Sequence, residues 1–454
     1  MKKLIGTKSF YKMVFLICFP IVIQNGFTNL ASLLDNIMIG QLGTLSMSGV
    51  SITNQLFQVF NVTIFGAMSG PGIFMAQYYG KKDQEGIQNC LKIKLIIGII
   101  IALLGILIFS LFGKQLISLY LNDSIEITRQ TLEYGMLYLK IMLIGLIPFM
   151  ITQVCSSSLR ETGNTVLPMY ASVIAVIINF SINYLLIFGT FGFPKLGVAG
   201  AAIGTVISRI VEMCVNIFGV TKNPHLATSF KTLHISLDTL RETLKKSLPL
   251  LCNEILWSIA IALTSQSYST RGINAVAAIN ITTTVTNFFM IVCYAMGNSI
   301  SIVVAQQLGA NEIEKAKDYD FKMVFMNVIL CIVLGFGLFN FGPIIPKIYN
   351  TSDEVRQIAT TLLRISACMM PIISMYYSSY FTLRAGGKTV LTFLFDSVYS
   401  FIFTFTTSFI LTRFTTLSIL PIYFFVQCVD IPKAMLGIFL VRKGIWVNNI
   451  VNNM

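Results

Sequence analysis

The chain has 454 residues, 55% of them hydrophobic and only 11% charged, with a mean hydropathy of +0.77 and a formal net charge of +13. A soluble domain carries about 25% charged residues, so this chain cannot solvate a surface of its size and most of that surface must face lipid. The basic excess does not point to nucleic acid, because it gathers in the connections on one side of the apolar segments rather than on one basic face.

Apolar windows of about 20 residues predict twelve spans, at 12–38, 48–77, 90–113, 131–155, 166–188, 196–220, 244–268, 275–305, 320–343, 356–381, 390–412 and 417–441. The first follows Lys2, Lys3, Lys8 and Lys12 in the manner of a signal peptide. Its apolar character continues to Ile39 with no small-residue cleavage site, so it reads as an uncleaved helix. Further basic residues follow span two (Lys81, Lys82, Lys92, Lys94), fill the central connection (Lys222, Lys231, Arg241, Lys245, Lys246), follow span eight (Lys315, Lys317, Lys322) and close the chain (Arg442, Lys443). This positive-inside pattern predicts a multi-pass protein with both termini in the cytoplasm. Span six opens on Gly197-Val-Ala-Gly200-Ala-Ala-Ile-Gly204, a small-residue stripe that lets helices approach closely.

The chain repeats itself. Ala76-Gln77-x-x-Gly80 recurs 229 positions later as Ala305-Gln306-x-x-Gly309. Pro20 and Pro249, Gly43 and Gly272, Ile52-Thr53 and Ile281-Thr282, and Tyr120 and Tyr349 share that offset. Leu159-Arg160-x-x-Gly163-x-Thr165 recurs, after a small indel, as Leu383-Arg384-x-x-Gly387-x-Thr389. Each copy holds an even number of spans, so the copies insert in the same orientation as parallel repeats. The predicted organisation is an all-α polytopic membrane protein with two six-helix lobes, at 1–220 and 244–454, joined by a cytoplasmic linker at 221–243. Pro148 in span four and Pro371 in span ten are further matched prolines, expected to kink their helices.

Charge inside a bilayer is expensive and tends to be functional. Asp35, Glu254 and Asp396 lie well inside spans one, seven and eleven and are the candidate ion-coupling acids. Glu254 and Asp396 each follow a lysine by eight residues, which places both about 12 Å above the inner boundary. The repeat is broken at the acids: Asp35 aligns with Thr264, and Glu254 with Asn25. A purely structural polar contact would more plausibly be symmetric. Asn179 and Asn183 share one helix face, and with Gln24, Asn25, Asn253 and Thr205 they are expected to line a polar cavity. Glu212 stands one turn from Arg209 and reads as its ion-pair partner. A desolvated carboxylate can exchange a proton near neutral pH. Joined by amide and hydroxyl oxygens it can hold a small hard cation, so Na+ at Asp35, Asn179 and Asn183 is the one metal expectation.

Several chemistries are excluded. The nine cysteines are scattered singly and form no Cys-x-x-Cys, and the two histidines, His225 and His234, fall in the linker. Arg384-Ala-Gly-Gly387-Lys388-Thr389 lacks the earlier glycine of a phosphate loop, since position 382 is Thr382. With no nucleotide domain, transport must use an ion gradient or none.

These residues resemble the multidrug and toxic compound extrusion (MATE) family. The likeness rests on Pro20 with Gln24, Asp35-Asn36-Ile37-Met38-Ile39-Gly40-Gln41-Leu42-Gly43, the Ala-Gln-x-x-Gly and Leu-Arg-x-x-Gly-x-Thr repeats, Asn179-x-x-x-Asn183-x-x-Leu186-Ile187-Phe188-Gly189 and Gly197-Val-Ala-Gly200-Ala-Ala. The resemblance is to the NorM-like branch. It implies two pseudo-twofold-related lobes and, by their alternating access, antiport of organic, often cationic compounds against Na+ or H+. It further implies a monomer in the inner membrane of a bacterium, without enzymatic activity or a cofactor beyond the coupling cation, and with no nucleic-acid partner. Asp35 matches the family's first-helix acid and Glu254 resembles its seventh-helix acid. Some members carry Asp where this chain has Asn183, which removes one negative charge from that site. Asp396 in span eleven stands in for an acid often found in span ten. The alternative within the same superfamily is a lipid-linked saccharide or peptidoglycan-precursor flippase, which would favour a cationic lobe interior.

Overall fold

In lipid, a chain must satisfy its own backbone hydrogen bonds, and long apolar runs therefore become helices. The computed structural model describes residues 5–121, 125–227, 237–349 and 351–452, and every regular element among them is helical. Lys2, Lys3, Lys231 and His234 lie outside them, as do residues 228–236 of the linker. Among the described residues, twelve helical segments are long and apolar enough to cross a membrane: α1 Lys8–Gly40, α2 Thr44–Lys81, α3 Gln84–Ser118, α4 Glu126–Glu161, α5 Val166–Phe188, α6 Val198–Lys222, α7 Thr239–Ser269, α8 Ile273–Gly309, α9 Ile313–Ile348, α10 Asp353–Ala385, α11 Thr389–Phe414 and α12 Ile419–Arg442. They match the twelve predicted spans. Most extend past the apolar windows because polar flanks continue the helix.

The prolines act unequally. In α4 a 3-10 turn at Leu143–Gly145 stands just before Pro148, which supplies no backbone donor to the preceding turn. Pro20, Pro249 and Pro371 sit inside unbroken helices. The strongest irregularity has no proline: α11 widens into π turns at Leu394–Val398 and Ser400–Phe405.

The helices group into two compact units. One comprises Met1–Val22, Ala76–Asp83 and Lys245–Met454, the other Ile23–Met75 and Gln84–Leu244. The first half of α1 and the last turn of α2 thus pack with the unit built mainly from the second repeat. Phe10, Val14, Ile17 and Ile21 enter its core beside Val303, Val304 and Phe381. The repeat-related α2 and α8 are the most enclosed helices, whereas α3 shows Ile100, Leu103, Leu107 and Leu111 to its surroundings.

The repeated motifs mark backbone requirements. Gly43 (φ 115°) and Gly272 (φ 97°) turn the chain between the first two helices of each copy, and Gly163 (φ 83°) and Gly387 (φ 69°) end α4 and α10. A side chain would be strained at each. Within the first unit, a Cβ on Gly80 would strike the Gln306 carbonyl, and one on Gly309 would strike that of Gln77. The two Ala-Gln-x-x-Gly segments therefore meet reciprocally through their glycines. Gln77, fully buried, then ties in the C-terminal tail. It donates to the carbonyls of Ala385 (3.1 Å) and Asn448 (3.3 Å) and accepts from the amide of Ile450 (2.9 Å).

Candidate functional site

In the second unit the site begins with the small residues of α6. Gly200 lies against the backbone of Leu186, and Gly204 against the side-chain oxygen of Asn183, with no room for a Cβ at either. This close approach of α5 and α6 brings Asn179 Nδ2 to 3.3 Å from Thr205 Oγ1. Asn183, one turn along the same face, donates its Nδ2 to Asn179 Oδ1 at 3.3 Å and to Asp35 Oδ1 of α1 at 2.6 Å. Asp35, Asn183, Asn179 and Thr205 therefore form one hydrogen-bonded chain through three helices. The oxygen of Asn183 is buried without a hydrogen-bond partner and faces Gly204, away from Asp35. The amide thus meets the acid with hydrogens, not with the oxygen a metal cation would use. Among the described residues, no three His, Cys, Asp or Glu side chains gather where they could hold a metal ion.

Gln24 joins a neighbouring set. It donates to Ser172 Oγ (3.0 Å) and accepts from Arg160 (3.4 Å), and Ser172 donates in turn to Glu212 (2.6 Å). Arg209 and Glu212 interact electrostatically, as their spacing suggests, but each makes its direct contact with another group. Glu212 turns to Ser172, and the Arg209 guanidinium lies 4.9 Å from the ring centre of Phe149. Arg209 also interacts electrostatically with Asp35. Asn25 is half-buried and joins neither set. Lys94, grouped in the sequence with cytoplasmic basic residues, is fully buried and pairs with Glu161 at 2.5 Å, supported by Ser157 and Ser158. Sequence spacing offers no hint of that pair, because its members sit on different helices.

In the first unit, the other two acids belong to a single network. Tyr380 of α10 donates to Glu254 Oε1 at 3.0 Å. Asn253 of α7 donates to the Tyr380 oxygen (3.3 Å) and to Asp396 Oδ2 (3.2 Å), while its own oxygen accepts from Ser397 (2.6 Å). Asp396 Oδ1 receives the Lys433 ammonium of α12 at 2.7 Å. α7 and α11 adjoin here, and Glu254 and Asp396 share neighbours. Tyr380 and Lys433 were not among the candidate residues. For Lys433 a signal existed, namely a lone lysine inside an apolar segment. For Tyr380 there was none, since tyrosines are common in this chain.

Comparison with known proteins gives a consistent picture. The family model described as MatE matches residues 20–185 and 249–412. A Bacillus subtilis protein named probable multidrug resistance protein YoeA is 27% identical over 84% of this chain and 82% of its own length. The Thermotoga maritima protein named probable multidrug resistance protein NorM is 23% identical over 82% of this chain and 79% of its own. A solved structure described as the outward-facing conformation of a multidrug resistance MATE family transporter superimposes with a TM-score of 0.87. It is 18% identical and covers 96% of this chain and 95% of that one, which establishes the fold.

Proposed function

The chain belongs to the MatE family, whose model matches both of its repeats, and from that premise we propose that it is a secondary active efflux antiporter. It exports organic, often cationic, compounds across the inner membrane of a bacterium by alternating access of two lobes, with a proton or sodium ion moving the other way. The relatives named as multidrug resistance proteins support this reading.

The observation that carries it is the Asp35 chain. A carboxylate sits inside an apolar helix, held by the Asn183 amide, with the Arg209 charge acting on it at longer range and no ion-pair partner within 4.0 Å among the described residues. An acid kept in lipid without a fixed salt bridge is free to take up and release a cation. The Asn183 amide hydrogens turned toward Asp35 favour a proton over Na+ as the ion exchanged there. Coupling then requires that ion and solute bind the two lobe arrangements with different affinity.

Asp35→Asn removes the exchangeable charge and keeps the shape. In cells or everted vesicles, gradient-driven ethidium export by this variant is expected to fall to the level without the protein, with membrane insertion unchanged. Normal export would refute the role given to Asp35. Varying the Na+ and pH gradients separately identifies the ion: export that follows Na+ alone would overturn the proton assignment.

A further inference from the structure

Lys433 sits inside α12 and is 1% exposed. An ammonium so placed must be compensated by its surroundings. Nζ donates to Asp396 Oδ1 at 2.7 Å and to Ser400 Oγ at 3.0 Å. It also stands 4.5 Å from the ring centre of Tyr376 and 5.9 Å from those of Phe395 and Tyr399. Aromatic rings grouped around a cation, closed by a carboxylate, are the chemistry by which proteins recognise ammonium ions. These groups come from α10 and α11, not from the lysine's own helix, so the enclosure exists through packing. Phe395, Asp396 and Ser400 lie in the π turns of α11, and Tyr399 lies between those turns. Such turns recur at functional sites.

We propose that Tyr376, Phe395, Tyr399, Ser400 and Asp396 form an ammonium-binding site whose occupant is the protein's own Lys433, and that this lysine sets ion specificity by denying Asp396 to external cations. Asp430, one turn before Lys433, interacts electrostatically with both members of the pair, and Glu254 connects to Asp396 through Tyr380 and Asn253. With Asp396 held by Lys433, Glu254 remains in this network bonded to Tyr380 and facing the charge of Arg384. The lysine is a selectivity element: cutting it back, with rings and carboxylate kept, opens a site for a small organic ammonium ion.

The test is binding of radiolabelled methylammonium to the purified, detergent-solubilised protein, a readout that does not depend on export. Wild type is expected to bind none saturably. Lys433→Ala should bind it saturably, at least about tenfold above the wild-type background, the factor a desolvated cation–π contact supplies. The double variant Lys433→Ala with Asp396→Asn should lose that binding. If Lys433→Ala is poorly folded, methylammonium chloride during preparation should restore its monodisperse yield and sodium chloride at equal concentration should not. Equal binding by wild type and Lys433→Ala, binding that survives in the double variant, or rescue by neither or both salts would overturn the assignment.

Discussion

Asp35 and Asp396 are both single carboxylates inside apolar helices, and the molecule holds them in opposite ways. Asp35 is met by the neutral amide of Asn183, backed by Asn179 and Thr205. Asp396 is met by the ammonium of Lys433 within a ring of aromatic side chains. An amide donor compensates part of a negative charge and adds no charge of its own, so a cation or proton can still be accommodated. A lysine cancels the charge outright and leaves nothing to exchange. The contrast separates an acid poised for exchange from one withheld from exchange by the protein's own lysine, although the two look alike as isolated residues.

Unpairing the withheld acid should have the largest effect on stability. Lys433→Met leaves Asp396 buried and unpaired, and removing one member of a buried pair costs roughly 3–5 kcal/mol. Thermal unfolding of the purified protein should show that drop. Replacing both members, with Asp396→Leu added, should recover most of it, because no charge is then stranded. A smaller loss is expected at the other site. Asn183→Leu keeps the volume and removes the donor, and a hydrogen bond to a charged group contributes about 1.5–3 kcal/mol. A loss as large as that of Lys433→Met would mean that Asp35 depends on Asn183 as fully as Asp396 depends on its lysine, and the contrast would fail. The smallest effect belongs to an exposed pair of the same type. Lys317 contacts Glu314 at 2.8 Å with both side chains accessible, and Lys317→Ala should change stability by less than about 1 kcal/mol. That measurement isolates burial, rather than ion pairing as such, as the source of the Lys433 effect.

The sequence made the architecture legible because its signals are local. Hydropathy marked the twelve long helices among the described residues, and the repeat located turns whose glycines adopt positive φ, as at Gly43 and Gly272. Asp35, Asn179 and Asn183 were recognisable as polar residues where lipid allows few, and packing of Gly204 against Asn183 brings them together. The irregular turns of α11 were not legible, since no proline or glycine announces them.

Composition and periodicity alone determined that this chain is a duplicated helical membrane protein, because the cost of exposing charge or bare backbone to lipid depends on residue type and run length. They also determined which few side chains needed partners. Only the tertiary structure decided which partners those were: Lys433 for Asp396, Glu161 for Lys94, Ser172 as the hydrogen-bond donor to Glu212. The physical reason is that compensation of a buried charge acts over a few ångströms between helices that can be distant in the chain. No spacing along one helix encodes that.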